Sequence, residues 1–294
     1  MLINHYRTRD RHYTDDINEA RPNIRFHIFP TQKLASSVDL SIWMTPVIHQ
    51  DDTRACCANA LATICEYLIR RTNNLPYTMA STKLSRLFLY YNGQRKEQQT
   101  RHVQDLGVHQ RSVALSMRKY GLCEEEFWPY RRRLLNKQPS STAYRQASKY
   151  TVVLLSVPIT IEAIETCLHN QIPVPIDIIM DDETEQIIQT NNGFLKMDKL
   201  KNSIIDKENL HTVVIVGYDR DERYFIMRNS WGVGWGHNGY FYVPYDFILN
   251  QDRVSHKDHL WTVTRIVPRL PRLPSVYQLY VPERTEKKRI YNRF

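Results

Sequence analysis

His211-Thr-Val-Val-Ile-Val-Gly-Tyr-Asp219, then Arg220-Asp-Glu-Arg223, then Tyr224-Phe-Ile-Met-Arg-Asn-Ser-Trp-Gly232 is the stretch on which the reading of this chain turns. Two runs rich in β-branched and aromatic residues flank a charged four-residue turn. That order predicts a β-hairpin. Pairing Tyr218 with Tyr224 sets a register that brings His211 opposite Trp231. Asn229 falls on the same face, two residues earlier, because side chains alternate along a strand. The hairpin thus gathers an imidazole, an amide and an indole at its open end. The amide can fix the imidazole's orientation and tautomer without adding charge. The indole can shield that hydrogen bond from water.

Working outward, the chain changes character near its middle. From Cys56 to about Tyr130 the apolar spacing is helical: Leu61, Cys65 and Leu68 fall at i, i+4 and i+7, and Val113, Met117 and Tyr120 repeat the pattern. After Lys149 come short β-rich runs at Thr151–Leu155, Val174–Ile179, Val213–Tyr218, Tyr224–Arg228, Tyr240–Val243 and Trp261–Ile266. One helix, about Ile161–His169, interrupts them. The prediction is an α+β fold of two lobes, with a site in the cleft between them.

A nucleophile must come from elsewhere, and there are five cysteines. Cys65 and Cys167 sit on apolar helix faces and read as buried packing. Cys123 follows the Tyr120-Gly121 helix stop and reads the same way. Cys56 and Cys57 open a helix over Ala58–Arg71. A thiol there feels the positive end of the helix dipole, which lowers its pKa, as does a nearby charged histidine.

These residues carry a family resemblance. Gln50 followed six residues later by Cys56-Cys57-Ala58-Asn59-Ala60 resembles the active-site segment of papain-like (cathepsin-type) cysteine peptidases. His211 before an apolar strand resembles that family's histidine segment. Asn229-Ser-Trp-Gly-Val-Gly-Trp-Gly-His-Asn-Gly239-Tyr240 resembles its asparagine segment closely. His211 stands 155 residues after Cys56 and Asn229 stands 173 after. The family spacing is about 130–150, so modest insertions are implied. Ser37-Val-Asp-Leu40 resembles the start of a mature peptidase domain. Ser85–Asn92 and Gly121–Tyr130 resemble the viral and bacterial branch that lacks a signal peptide.

The resemblance implies a papain-like fold, with a helical lobe over about 50–148 and a β-rich lobe over about 149–267. It implies a cysteine-type endopeptidase acting on peptides or proteins, with no cofactor and no metal. Cys56 would be the nucleophile and His211 its acid–base partner. Asn229 would orient His211 through one of its ring nitrogens. Gln50 and the Cys56 backbone N–H would form the oxyanion hole. Gly107, in the segment Asp105-Leu-Gly107, would contact substrate, as would Leu210 and Trp231. Three positions depart from the family. Arg54-Ala55 replaces the usual small pair before the nucleophile, Cys57 replaces the usual Trp or Thr after it, and Leu210 precedes the histidine. Arg54 and Leu210 motivate a rival reading, a weak or inactive papain-fold protein that binds a peptide or protein partner.

The flanks are read from composition. Residues 1–35 carry many charges and little periodicity, and read as an arm or a short pro-like segment. Their lack of an apolar run predicts no signal peptide. With an odd number of cysteines, the expectation is reduced thiols in the cytoplasm, or association with a virion if the source is viral. No apolar run reaches the roughly 18 residues of a membrane span. The formal net charge is +9. The tail over 268–294 has seven Lys/Arg against two Glu and so carries much of that charge. Pro268, Pro271 and Pro274 predict an extended start to it. The tail reads as a solvated basic segment able to contact anionic surfaces, and no specific nucleic-acid binding is expected.

Overall fold

The computed structural model describes residues 24–25, 33–73, 82–200, 209–255 and 259–269. Most of the expected N-terminal arm and basic tail lies outside the described residues. The elements in chain order are β1 (Ile24–Arg25), β2 (Ser37–Asp39), α1 (Cys56–Thr72), α2 (Arg86–Gln98), α3 (Gln110–Tyr120), α4 (Ser141–Ala147), β3 (Tyr150–Val157), α5 (Ile161–His169), β4 (Val174–Ile179), α6 (Asp182–Thr190), β5 (Leu210–Asp219), β6 (Tyr224–Arg228), β7 (Tyr240–Pro244), α7 (Tyr245–Leu249) and β8 (Leu260–Pro268). Helices fill the first half and strands dominate the second, which is the α+β order expected.

Helix α1 is the spine of the helical half. Its residues from Cys57 to Tyr67 are all buried. It packs against α2 and α3 on one side and against β5 and β8 on the other. Each large apolar side chain removed from water in such a core stabilises by roughly 1.5–3 kcal/mol. Residues Cys65, Cys123 and Cys167 are buried and free, as their apolar settings predict.

The β half contains two sheets. One has the order β2-β5-β6-β7, with β4 also pairing β5. The other has the order β1-β3-β8. Ser37–Asp39 thus joins the β half before the chain enters the helical half. The start of the tail is anchored too: the Arg269 backbone N–H donates to Lys149 O at 2.9 Å.

The β5–β6 hairpin forms, with one difference from the expected register. At the turn the pairing is Asp219 with Tyr224 and Tyr218 with Phe225, one residue out of step. A bulge between Ile215 and Gly217 then takes up one residue, so Val214 pairs with Arg228. That is the pairing the sequence register predicts at the open end. Gly217 is required at the bulge, because a Cβ there would lie 2.3 Å from Val38 O on β2.

Two further helices, α6 and α7, were not expected. Helix α6 has a capping signal, with Asp181 accepting from the Thr184 N–H at 2.9 Å. Its body, Asp-Glu-Thr-Glu-Gln-Ile-Ile-Gln-Thr, offers almost no apolar period. Burial of Ile187 and Ile188 holds it in place.

Candidate active site

Backbone pairing brings the two halves together. His49 bridges to Trp231, the Gln50 N–H donates to Ser230 O at 2.8 Å, and the Gly232 N–H donates to Ile48 O at 3.2 Å. The turn that precedes α1 is therefore stitched to the end of the hairpin. Tyr130 braces it from the helical half: its ring oxygen lies 2.7 Å from both Gln50 O and Thr53 Oγ1. The Arg86 guanidinium lies over the Tyr130 ring at 3.7 Å and donates to Asn59 Oδ1 on α1. One cleft results. Gln50, Arg54, Cys56, Gly107, Leu210, His211 and Trp231 all line it.

Two hydrogen bonds decide what His211 can do. Its Nε2 lies 2.8 Å from Asn229 Oδ1. The Ser230 backbone N–H donates to the same atom at 2.7 Å. A backbone N–H can only donate, so the atom it meets is the amide oxygen. His211 therefore carries its proton on Nε2, and Nδ1 is the basic nitrogen. The choice between ring nitrogens, open in the sequence, follows from this contact. Trp231 stacks on the imidazole, with ring centroids 4.5 Å apart at 30°. Trp235 packs edge-on against Trp231. His211 and Asn229 are buried beneath them.

Gln50 is held by the same logic. Its Nε2 donates to Thr53 O at 2.8 Å, and its Oε1 accepts from Ser230 Oγ at 2.6 Å. One Nε2–H remains for another acceptor. Gly107 has φ of +80°, and a Cβ there would meet nothing within 4 Å. The left-handed backbone asks for glycine, and the missing side chain leaves main chain facing the cleft. Leu210 is 40% exposed on the opposite lip. Arg54 is exposed, while its backbone N–H donates to the Asp105 carboxylate at 3.1 and 3.3 Å.

Cys56 is the first residue of α1 and, of the five thiols, the one that is not buried. Its S–H donates to Thr212 Oγ1 at 3.7 Å. Thr212 is the neighbour of His211 on β5. Burial pushes the Cys56 thiol up, and the Asp177 carboxylate adds to this, against the lowering effect of its Thr212 contacts. Burial likewise takes the His211 imidazole down to about 4, although its bond to Asn229 acts the other way. The expectation that the helix start depresses the thiol pKa is thereby reversed. Desolvation is the largest effect on both groups, and it disfavours a lone thiolate and a lone imidazolium alike.

Three contributors escaped the sequence reading. Ser230 fixes the amides of both Asn229 and Gln50, and it was read only as part of a motif. Thr212 follows the histidine directly. Asp177 is a carboxylate inside the apolar run Val174–Ile179, and that anomaly was its available signal. Among the described residues no group of three or more His, Cys, Asp or Glu is arranged to hold a metal. No helix there is long and apolar enough to cross a membrane.

A two-lobed α+β fold with a thiol and an amide-anchored imidazole in one interlobe cleft defines a thiol hydrolase of papain-like architecture. The sequence matches the model of the papain family cysteine proteases over residues 40–254. The chain is 29% identical over 217 residues to an uncharacterized peptidase C1-like protein of Acanthamoeba polyphaga mimivirus, covering 71% of this chain and 67% of that one. It is 31% identical over 135 residues to a cysteine protease of Blomia tropicalis, covering 43% of this chain and 37% of that one. Among solved structures it resembles xylellain, a cysteine protease from Xylella fastidiosa, with TM-score 0.66 and 29% identity, over 79% of this chain and 87% of that one. The digestive procathepsin L 3 of Tenebrio molitor shares the fold, with TM-score 0.61 and 19% identity over 84% and 77%. The chain belongs to the papain family of cysteine proteases. It is a papain-like thiol protease, and its substrates are peptides or proteins.

Proposed function

We propose that this chain is a cysteine-type endopeptidase working through a Cys56 thioester. The observation that carries the reading is the His211 Nε2 to Asn229 Oδ1 bond, with Ser230 fixing the amide's orientation. It leaves Nδ1 as the base in the cleft that Cys56 lines. Nδ1 takes the Cys56 proton as the thiolate attacks the scissile carbonyl carbon. Each charge then offsets the burial cost of the other. His211 returns the proton to the leaving amine, and water activated by the same nitrogen hydrolyses the thioester.

The Cys56 backbone N–H and the remaining Gln50 Nε2–H act as oxyanion donors. A donor of this kind contributes roughly 3 kcal/mol in the transition state. Gln50→Ala is accordingly expected to lower kcat by on the order of 10²-fold and leave KM nearly unchanged. Steady-state kinetics on a fluorogenic peptide measures this.

The test of the reading is covalent. A peptidyl epoxide incubated with reduced enzyme is expected to add once, at Cys56, as located by tandem mass spectrometry. No adduct at Cys56 would favour the rival reading of a papain-fold binder.

A further inference from the structure

Asp177 is a carboxylate that the proton transfers between Cys56 and His211 do not use. It lies on β4, where the five other residues are buried and Asp177 alone is partly open. It opens onto the catalytic cleft, which it lines together with Cys56 and His211. The β4–β5 ladder sets it directly across from Thr212, with Ile178 opposite His211 one step along. Neutral donors hold the carboxylate in place. The Thr212 hydroxyl donates to Oδ1 at 2.6 Å, and the Gln110 side-chain amide also donates to the carboxylate. Gln110 is itself oriented, because its Oε1 accepts from the Trp261 N–H at 3.3 Å.

What Asp177 lacks is a countercharge. No ion pair to it occurs among the described residues. His109 acts on it without an ion-pair contact, and the His109 ring nitrogen lies 2.7 Å from Glu97 Oε1 instead. Arg54, a cation that lines the same cleft, is exposed. Glu97 lines the cleft as a second carboxylate. Burial acts to raise its carboxyl, but its bonds to His109 hold it below the ordinary value. A carboxylate removed from water without a cation is costly, and a paired cation offsets that cost.

We propose that Asp177 determines substrate specificity by receiving the cationic head of a lysine or arginine side chain, with Val108, Met180 and Leu210 beside its stem. The inference rests on the peptidase reading and names a feature of the substrate. Those three apolar residues line the cleft together with Asp177. A long aliphatic stem that ends in a cation matches both the apolar walls and the carboxylate. A carboxylate offers roughly four lone-pair sites, so Thr212 and Gln110 leave room for further donors. A neutral side chain in the same place leaves the carboxylate unpaired, and an acidic one sets like charges together.

The experiment measures kcat/KM of the full chain on fluorogenic peptides. Each position on either side of the scissile bond carries in turn arginine, its neutral isostere citrulline, lysine, norleucine or glutamate. At one position arginine and lysine are expected to exceed citrulline and norleucine by on the order of 10-fold or more, with glutamate slowest. Asp177→Asn keeps the shape and drops the charge, and is expected to bring the arginine-to-citrulline ratio close to unity. Equal rates for arginine and citrulline at every position in the wild type overturn the inference, and so does a ratio that survives Asp177→Asn. Should Asp177→Asn not fold, Glu97→Gln decides: a ratio retained supports Asp177, and a ratio lost gives the role to Glu97 and overturns it. Hydrolysis of all the peptides at similar rates would leave the peptidase reading standing without the inference. Hydrolysis of none would count against the peptidase reading. The affinities of the arginine and citrulline peptides, read by fluorescence anisotropy, would then decide the inference: tighter binding of the arginine peptide supports it, and equal binding overturns it.

Discussion

Cys56→Ser is expected to lower kcat for peptide hydrolysis by on the order of 10⁴-fold or more, with KM close to wild type. The exchange leaves the site nearly unchanged in volume. It replaces a polarizable sulfur with an oxygen whose proton the His211 base removes far less readily, so the acyl-enzyme step fails while binding persists. Cys57→Ser is the matched comparison. Cys57 is fully buried and its thiol is pushed well up by that burial. Its side chain is not among those lining the cleft, although it lies close to Thr212, and successive helical positions point in different directions. The Cys57 variant is expected to keep most of its kcat, although a hydroxyl placed in the core costs about 1–3 kcal/mol if it finds no partner. Fluorogenic peptide kinetics on both folded variants separates them. Equal activity in Cys56→Ser and wild type would sink the nucleophile assignment.

His211→Ala is expected to reduce kcat/KM by roughly 10³-fold or more. The same nitrogen serves twice, first taking the thiol proton and then protonating the leaving amine. Thr212, which hydrogen-bonds the sulfur, cannot replace it, because a hydroxyl is too weak a base to take the thiol proton and its own proton is engaged in a hydrogen bond to Asp177. The variant also strands Asn229 Oδ1, which keeps only the Ser230 N–H as donor, and removes the ring on which Trp231 stacks. A structural effect is therefore separated from a chemical one by the pH–rate profile, measured alongside circular dichroism. Loss of the limb that reports imidazole ionisation, in a protein with wild-type secondary structure, is the expected outcome. Activity within tenfold of wild type would remove His211 from the chemistry.

The last residues of the N-terminal arm, 33–35, are among those described. Ala35 is tied down at two points: its N–H donates to His169 Nδ1 at 3.2 Å, and its carbonyl accepts from Tyr218 Oη at 3.1 Å. The segment entering the peptidase body is thus fixed to the β half, on α5 and β5.

The sequence by itself determined the α+β order, the strands β4 and β6 to the residue, the helix α5 to the residue, and the family. These were legible because each is local or rests on a dense motif: apolar period, turn chemistry and the Asn-Ser-Trp-Gly run need only neighbours along the chain. It also brought His211, Asn229 and Trp231 to one place, although the register that does so is reached through a bulge at Gly217 that compensates a one-residue slip at the turn. Helix α6 was not legible, since its polar sequence is held by a cap and by burial of two isoleucines. The surroundings of the Cys56 thiol were decided by tertiary structure alone. Helix position argued for a lowered thiol pKa. Burial and the Asp177 carboxylate act the other way, while Thr212 contacts act with the helix, and both residues reach Cys56 from strands more than a hundred residues distant in sequence. Desolvation and hydrogen-bond direction depend on what surrounds a group in three dimensions, and no spacing along the chain encodes them.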